Sequence, residues 1–173
     1  MTELNISTGS GDARSRSGDE WSGTSNPLYY GNGGPDPTSE WRSHLPFANV
    51  TVPNAAHINH ATLTINTNGQ NGSGGTSLNL EIACEDADDP AATANAGDLF
   101  GRVLTTAKYT QATVAAYDVN GIYTYDITAS VQEVVDRAGF HSGHGMAVIV
   151  RGNGSAANAW RAFASVESTV YTE

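Results

Sequence analysis

Asn-Gly pairs recur along the chain, at Asn32, Asn68, Asn71, Asn120 and Asn153, and only short runs of regular sequence lie between them. Asparagine and glycine both tolerate positive φ, so each pair predicts a tight turn. The intervening runs alternate. Ala61, Leu63 and Ile65 take one side and Thr62 and Thr64 the other; Leu78, Leu80, Ile82 and Cys84 take one side and Asn79 and Glu81 the other. A period of two belongs to strands with one face buried. Residues 146–150 are apolar throughout and predict a strand covered on both faces. Residues 160–167 alternate again, 169–171 continue that edge, and 3–8 form a weaker strand candidate. Many short strands with turn signals between them predict an all-β fold, a two-sheet antiparallel sandwich of jelly-roll-like form.

One segment departs from this pattern. Ile127, Val131, Val134, Val135 and Ala138 fall at helical spacing, with Thr128 as N-cap and Gly139 as the stop. This predicts one short α-helix at 129–138, closing one end of the sandwich. Three stretches, 9–27, 31–39 and 85–97, are predicted as long loops, the usual carriers of recognition on a β-scaffold. Neither a repeat nor a linker divides the sequence, so residues 1–173 are expected to form one domain, with 1–20 a candidate extended docking arm.

Charge narrows the function. The formal net charge is −10 and Lys108 is the only lysine. Phosphate binding needs clustered cations, so nucleic acid is not an expected partner. No run approaches the roughly 18 apolar residues of a membrane span, and no membrane partner is expected. Residues 1–16 are polar and lack the apolar core of a signal peptide, so export by that route is not expected. Cys84, the only cysteine, allows no internal disulfide and is expected to be buried.

The chemistry-bearing residues form no catalytic set. There is no Gly-x-Ser-x-Gly elbow and no phosphate loop, and Asp126 and Thr128 read as groups that start the helix. Glu85, Asp86, Asp88 and Asp89 lack the spacing of a dedicated calcium loop and are expected to be solvated, with calcium as the alternative. His57 and His60 stand three apart, on opposite faces of a strand if they lie on one. His141 and His144 share a turn but have no cysteine or carboxylate at zinc-site spacing. No metal and no cofactor are expected. The candidate ligand-binding residues are Trp21, Tyr29, Tyr30 and Trp41, whose rings in exposed loops would stack on sugar faces or, alternatively, plug the sandwich. Trp160 alternates into the last strand and is expected in the core.

The order of several short motifs resembles the DNRLRE-type domain, a β-sandwich related to carbohydrate-binding modules. The motifs are Arg42-Ser43-His44-Leu45-Pro46-Phe47 followed by Thr51-Val52-Pro53, then Ala61-Thr62-Leu63-Thr64-Ile65, then Asp126-Ile127-Thr128-Ala129-Ser130-Val131, then residues 145–150 and Phe163-Ala164-Ser165-Val166-Glu167. The resemblance spans roughly residues 11–173. This sequence has valine where the family often has tryptophan after the helix start, and Pro46 falls within the family's first strand. Similar lone domains look like virion proteins of tailed phages. The resemblance thus implies a non-enzymatic structural protein of a phage particle, a capsid decoration or a fibre or tail component. It would be located in the virion, partnered by capsid or tail proteins or by itself in a homo-oligomer. The alternative it implies is a carbohydrate-binding module whose partner is a surface glycan.

Overall fold

A computed structural model describes residues 12–17, 20–24, 26–36, 38–72 and 78–164. Its strands are β1 Ala13–Arg16, β2 Glu20–Ser22, β3 Leu28–Asn32, β4 Glu40–Phe47, β5 Thr62–Asn68, β6 Leu80–Cys84, β7 Tyr109–Gln111, β8 Val119–Asp126, β9 Met146–Arg151 and β10 Trp160–Phe163. The helices are α1 Ala96–Gly101, between β6 and β7, and α2 Thr128–Val135, between β8 and β9.

All ladders are antiparallel and build two layers. Sheet one runs β2-β1-β4-β9-β6-β7. In sheet two, β5 pairs with β8, and β10 pairs with β3. The Ala162 and Ala164 amides donate to the carbonyls of Gln70 and Asn66, which joins β10 to β5. Sheet two therefore runs β8-β5-β10-β3. The layers meet where β3 turns onto β4, with Gly31 opposite Trp41. Gly31 has φ +110°, and a Cβ there would fall 2.3 Å from the Ala159 carbonyl oxygen, so only glycine fits this corner. Pro46 does not interrupt β4, which continues to Phe47 with Pro46 opposite Ala147 of β9.

The core lies between the layers and follows the predicted alternation. Leu45, Leu80, Ile82, Cys84, Met146, Val148 and Val150 come from sheet one; Leu28, Tyr30, Leu63, Ile65, Tyr125 and Phe163 come from sheet two. Burying such side chains contributes about 1.5–3 kcal/mol each. The phenols of this core are paired. Tyr30 Oη donates to Tyr117 Oη at 2.6 Å, and Tyr117 and Tyr125 share a further hydroxyl contact. Burial pushes all three phenols above their ordinary value, so they act as neutral hydrogen-bonding groups. Arg161, 1% exposed, donates to the carbonyls of Val114 and Ala115.

The structure corrects several expectations. There are two helices among the described residues, not one. The predicted helix at 129–138 is α2, which begins at Thr128 and ends at Val135, with Val134 and Val135 in the core. Thr128 is its first residue rather than its cap: its Oγ1 accepts from the Ala61 amide, and Asp126 accepts from the Thr128 amide. The loop predicted at 9–27 contains β1 and β2, so Ala13–Arg16 of the candidate docking arm belongs to sheet one. The candidate strands at 3–8 and 169–171 lie outside the described residues. The Asn-Gly pairs do not all turn: Gly69 and Gly154 have positive φ, Asn120 takes positive φ at a bulge inside β8, and Asn32 closes β3.

Candidate functional site

The outer faces of the two sheets differ in what covers them. On sheet one, His44, Glu81, Ala83, Ala147 and Ile149 are buried. The chain from 86 to 105 packs on this face through Arg102 on Glu85 and Phe100 on Arg42, while Glu81 is held by Arg151 and Lys108. Leu99 of α1 is the apolar anchor of that cover, fully buried outside the main core. Glu85 is its electrostatic centre. Arg102 Nη1 donates to Glu85 Oε1 at 2.8 Å, and Asp98 holds the same guanidinium through two further bonds of 2.9 Å. His44 Nε2 approaches Glu85 Oε2 at 3.5 Å, an electrostatic contact too long for a good hydrogen bond. Burial alone would raise the Glu85 carboxyl, but His44 and Arg102 outweigh it and hold it below its ordinary value.

Beyond buried Glu85, the acidic run is partly exposed and partly engaged by the fold, with Asp89 exposed. Asp86 and Asp88 pair with Arg137 just beyond α2, and Asp89 accepts from the Gly145 amide at 2.6 Å. No group of three or more His, Cys, Asp or Glu able to hold a metal occurs among the described residues. His141 and His144 stack edge to face at 5.2 Å, and the His144 ring also contacts the Asp88 carbonyl.

Sheet two has no such cover among the described residues. Thr62, Thr64, Thr124 and Ile122 are exposed on its outer face, and Asn66 is half-buried beside them. The Thr64 and Thr124 hydroxyls lie 3.4 Å apart across the β5–β8 ladder. At the β3 side of this sheet the aromatic residues gather. Tyr29 and Trp160 meet edge to face at 5.2 Å, and Tyr29 and Trp41 meet tilted at 5.1 Å. Strand register makes this neighbourhood: Gly31 pairs with both Trp41 and Trp160, and Ala162 pairs with Tyr29. Two tryptophans lie against glycines, Trp41 against Gly33 and Trp160 against Gly72, where an added Cβ would fall 1.9 and 2.5 Å from ring atoms.

The β1–β2 hairpin carries sheet one past this cluster as a ledge. The Arg14 guanidinium stacks over Tyr29 at 4.2 Å from the ring centroid, and that of Arg16 lies 5.6 Å from the Trp41 ring. Such contacts are worth about 0.5–1 kcal/mol each at exposed sites. Arg14 also donates to the Pro27 carbonyl at 2.9 Å, and burial holds its guanidinium below its ordinary value while leaving it charged.

Of the four candidate aromatics, the structure brings two together. All four lie on strands rather than in loops. Tyr29 and Trp41 share the cluster, although Trp41 is only 7% exposed. Tyr30 faces the core and is fully buried, so it offers no stacking face. Trp21 is 41% exposed but aligns with Ser15, on the opposite side of the hairpin from Arg14 and Arg16. Trp160, expected in the core, is half-buried on the outer face instead, because its neighbours Arg161 and Phe163 point inward.

A second concavity, an open groove of about 820 Å³, runs between β7 and α2, lined among others by His57, Ile58, Lys108, Tyr109, Asp126 and Gln132. Several of its polar groups already serve the fold. Gln132 bonds the Ile58 amide and the Ala56 carbonyl, Asp126 holds the Thr128 amide, and Lys108 pairs with Glu81 at 3.2 Å.

No family model matches the sequence, and no curated protein matches it. The likeness to DNRLRE-type domains thus remains an expectation, its motifs lying on β4 and the 51–53 segment after it, on β5 and the residue before it, at the β8–α2 junction, on β9 and the residue before it, and at β10 as far as Ala164, with 165–167 outside the described residues. Among solved structures the chain is similar to CBM28, a carbohydrate-binding module specific for non-crystalline cellulose, at 17% identity and a TM-score of 0.40, over 84% of this chain and 78% of that one.

Proposed function

We propose that this chain is a non-catalytic carbohydrate-recognition module that receives a polysaccharide on the outer face of sheet two, against the Tyr29–Trp160 cluster. One observation carries the reading: that face combines uncharged hydroxyl and amide groups, from Thr62, Thr64, Asn66 and Thr124, with half-buried aromatic rings. A sugar presents C–H groups on its faces and hydroxyls at its edges, so rings and short polar side chains on one open surface match it chemically. These threonine hydroxyls are not drawn into the loop and helix contacts that engage several polar groups of the groove beside α2. Nothing in the fold favours the first expectation, a phage-particle protein, over this alternative.

Affinity electrophoresis through gels containing neutral or acidic polysaccharides tests the reading. Retardation by at least one polysaccharide is expected, and Trp160→Ala is expected to abolish it while the fold persists. Retardation by none, or retardation unchanged in Trp160→Ala, would sink the proposal.

A further inference from the structure

The cations of this acidic protein are not spent equally. Arg42, Arg102 and Arg137 each meet a carboxylate at 2.6–2.9 Å. Arg151 and Lys108 are bound to Glu81, and Arg161 is turned inward onto carbonyls. Arg14 and Arg16 differ. Their described carboxylate partner is the same residue, Glu20, at 3.7 and 3.8 Å, beyond hydrogen-bond reach, and Glu20 is itself 47% exposed. Two guanidinium groups facing one loosely held carboxylate leave Arg16 with no carboxylate within hydrogen-bond reach among the described residues, on a chain of net charge −10. Both guanidinium groups lie on the ledge beside the aromatic cluster, over Tyr29 or Trp41.

We infer that the ledge of Arg14 and Arg16 binds the carboxylate of an acidic sugar, a uronate, while the neighbouring rings take the sugar face. The inference rests on the carbohydrate-recognition reading and names the class of glycan. A planar carboxylate matches the guanidinium fork and can accept two parallel bonds from it. Arg16, with its side chain 30% exposed and no side-chain hydrogen bond among the described residues, is the better placed donor. Arg14 is tied to the Pro27 carbonyl and contributes mainly charge. Glu20 competes with the incoming anion for both.

The experiment titrates polygalacturonate, alginate and neutral hydroxyethylcellulose against the wild type, Arg16→Gln, Glu20→Gln and Trp160→Ala, with thermal melts confirming that each variant is folded. The uronate polymers are expected to bind more tightly than the neutral one and to weaken as salt is raised. Arg16→Gln is expected to weaken uronate binding about tenfold and to leave neutral binding unchanged. Glu20→Gln is expected to strengthen uronate binding. Neutral binding with no preference for uronates, or uronate binding indifferent to Arg16→Gln, overturns the inference and leaves carbohydrate recognition standing. Binding to none of the polymers overturns both.

Discussion

On the outer face of sheet one, His44, Glu81, Ala83, Ala147 and Ile149 lie buried, while on that of sheet two Thr62, Thr64, Ile122 and Thr124 are exposed. The covered face carries charge, and every described charge on it has a partner inside the molecule. The other carries exposed hydroxyls, with an amide and rings that are half-buried. Buried charge binds a cover to a sheet, because separating the partners strands an ion in a poor solvent. Exposed hydroxyls add little to stability and remain available to a ligand. The two faces should therefore respond oppositely to substitution.

The largest effect is expected at Arg102. Arg102→Ala leaves Glu85 buried beside His44 without its main cation and is expected to cost about 3–5 kcal/mol, read from the midpoint of urea denaturation. A loss near zero would mean that the cover is not held electrostatically. Acid should loosen the same face to a smaller degree. The Glu85 and Glu81 carboxyls are held below their ordinary value of 4.5, so their contribution is complete above that value and is lost as the pH falls through their folded values. Stability measured from about pH 6 down to about pH 3 is expected to fall, and to fall less in Glu85→Gln. The smallest effect is expected on the open face. Thr64→Val, together with Thr124→Val, is expected to change stability by no more than about 0.5 kcal/mol. A larger loss would make that face structural and erase the contrast.

The sequence made the core strands legible because each side of β5 and β6 repeats one chemistry: Leu63 with Ile65, and Leu80 with Ile82 and Cys84, all entered the core. The burial of Glu81 was not legible, since its partners Arg151 and Lys108 lie far along the chain. β1 was hidden in a Gly- and Ser-rich stretch, where Ala13 and Ser15 are the buried positions and give no apolar period. α1 was hidden because Leu99 and Phe100 are its only large apolar residues, too few for a helical stripe. Half of the site could be read. Period two alone separates Tyr29 from Tyr30, one outward and one inward. Trp160 was misassigned because its face depends on Arg161, a charged residue that hydropathy places outside and the carbonyls of Val114 and Ala115 hold within.

The contrast between the faces is tested most directly by amide chemical-shift mapping with the polysaccharide fragment that binds best. Shifts are expected at Tyr29, Thr64, Thr124 and Trp160, with Leu99, Arg102 and the Lys108–Gln132 groove unmoved. Shifts confined to that groove or to the cover, with sheet two silent, would contradict the account.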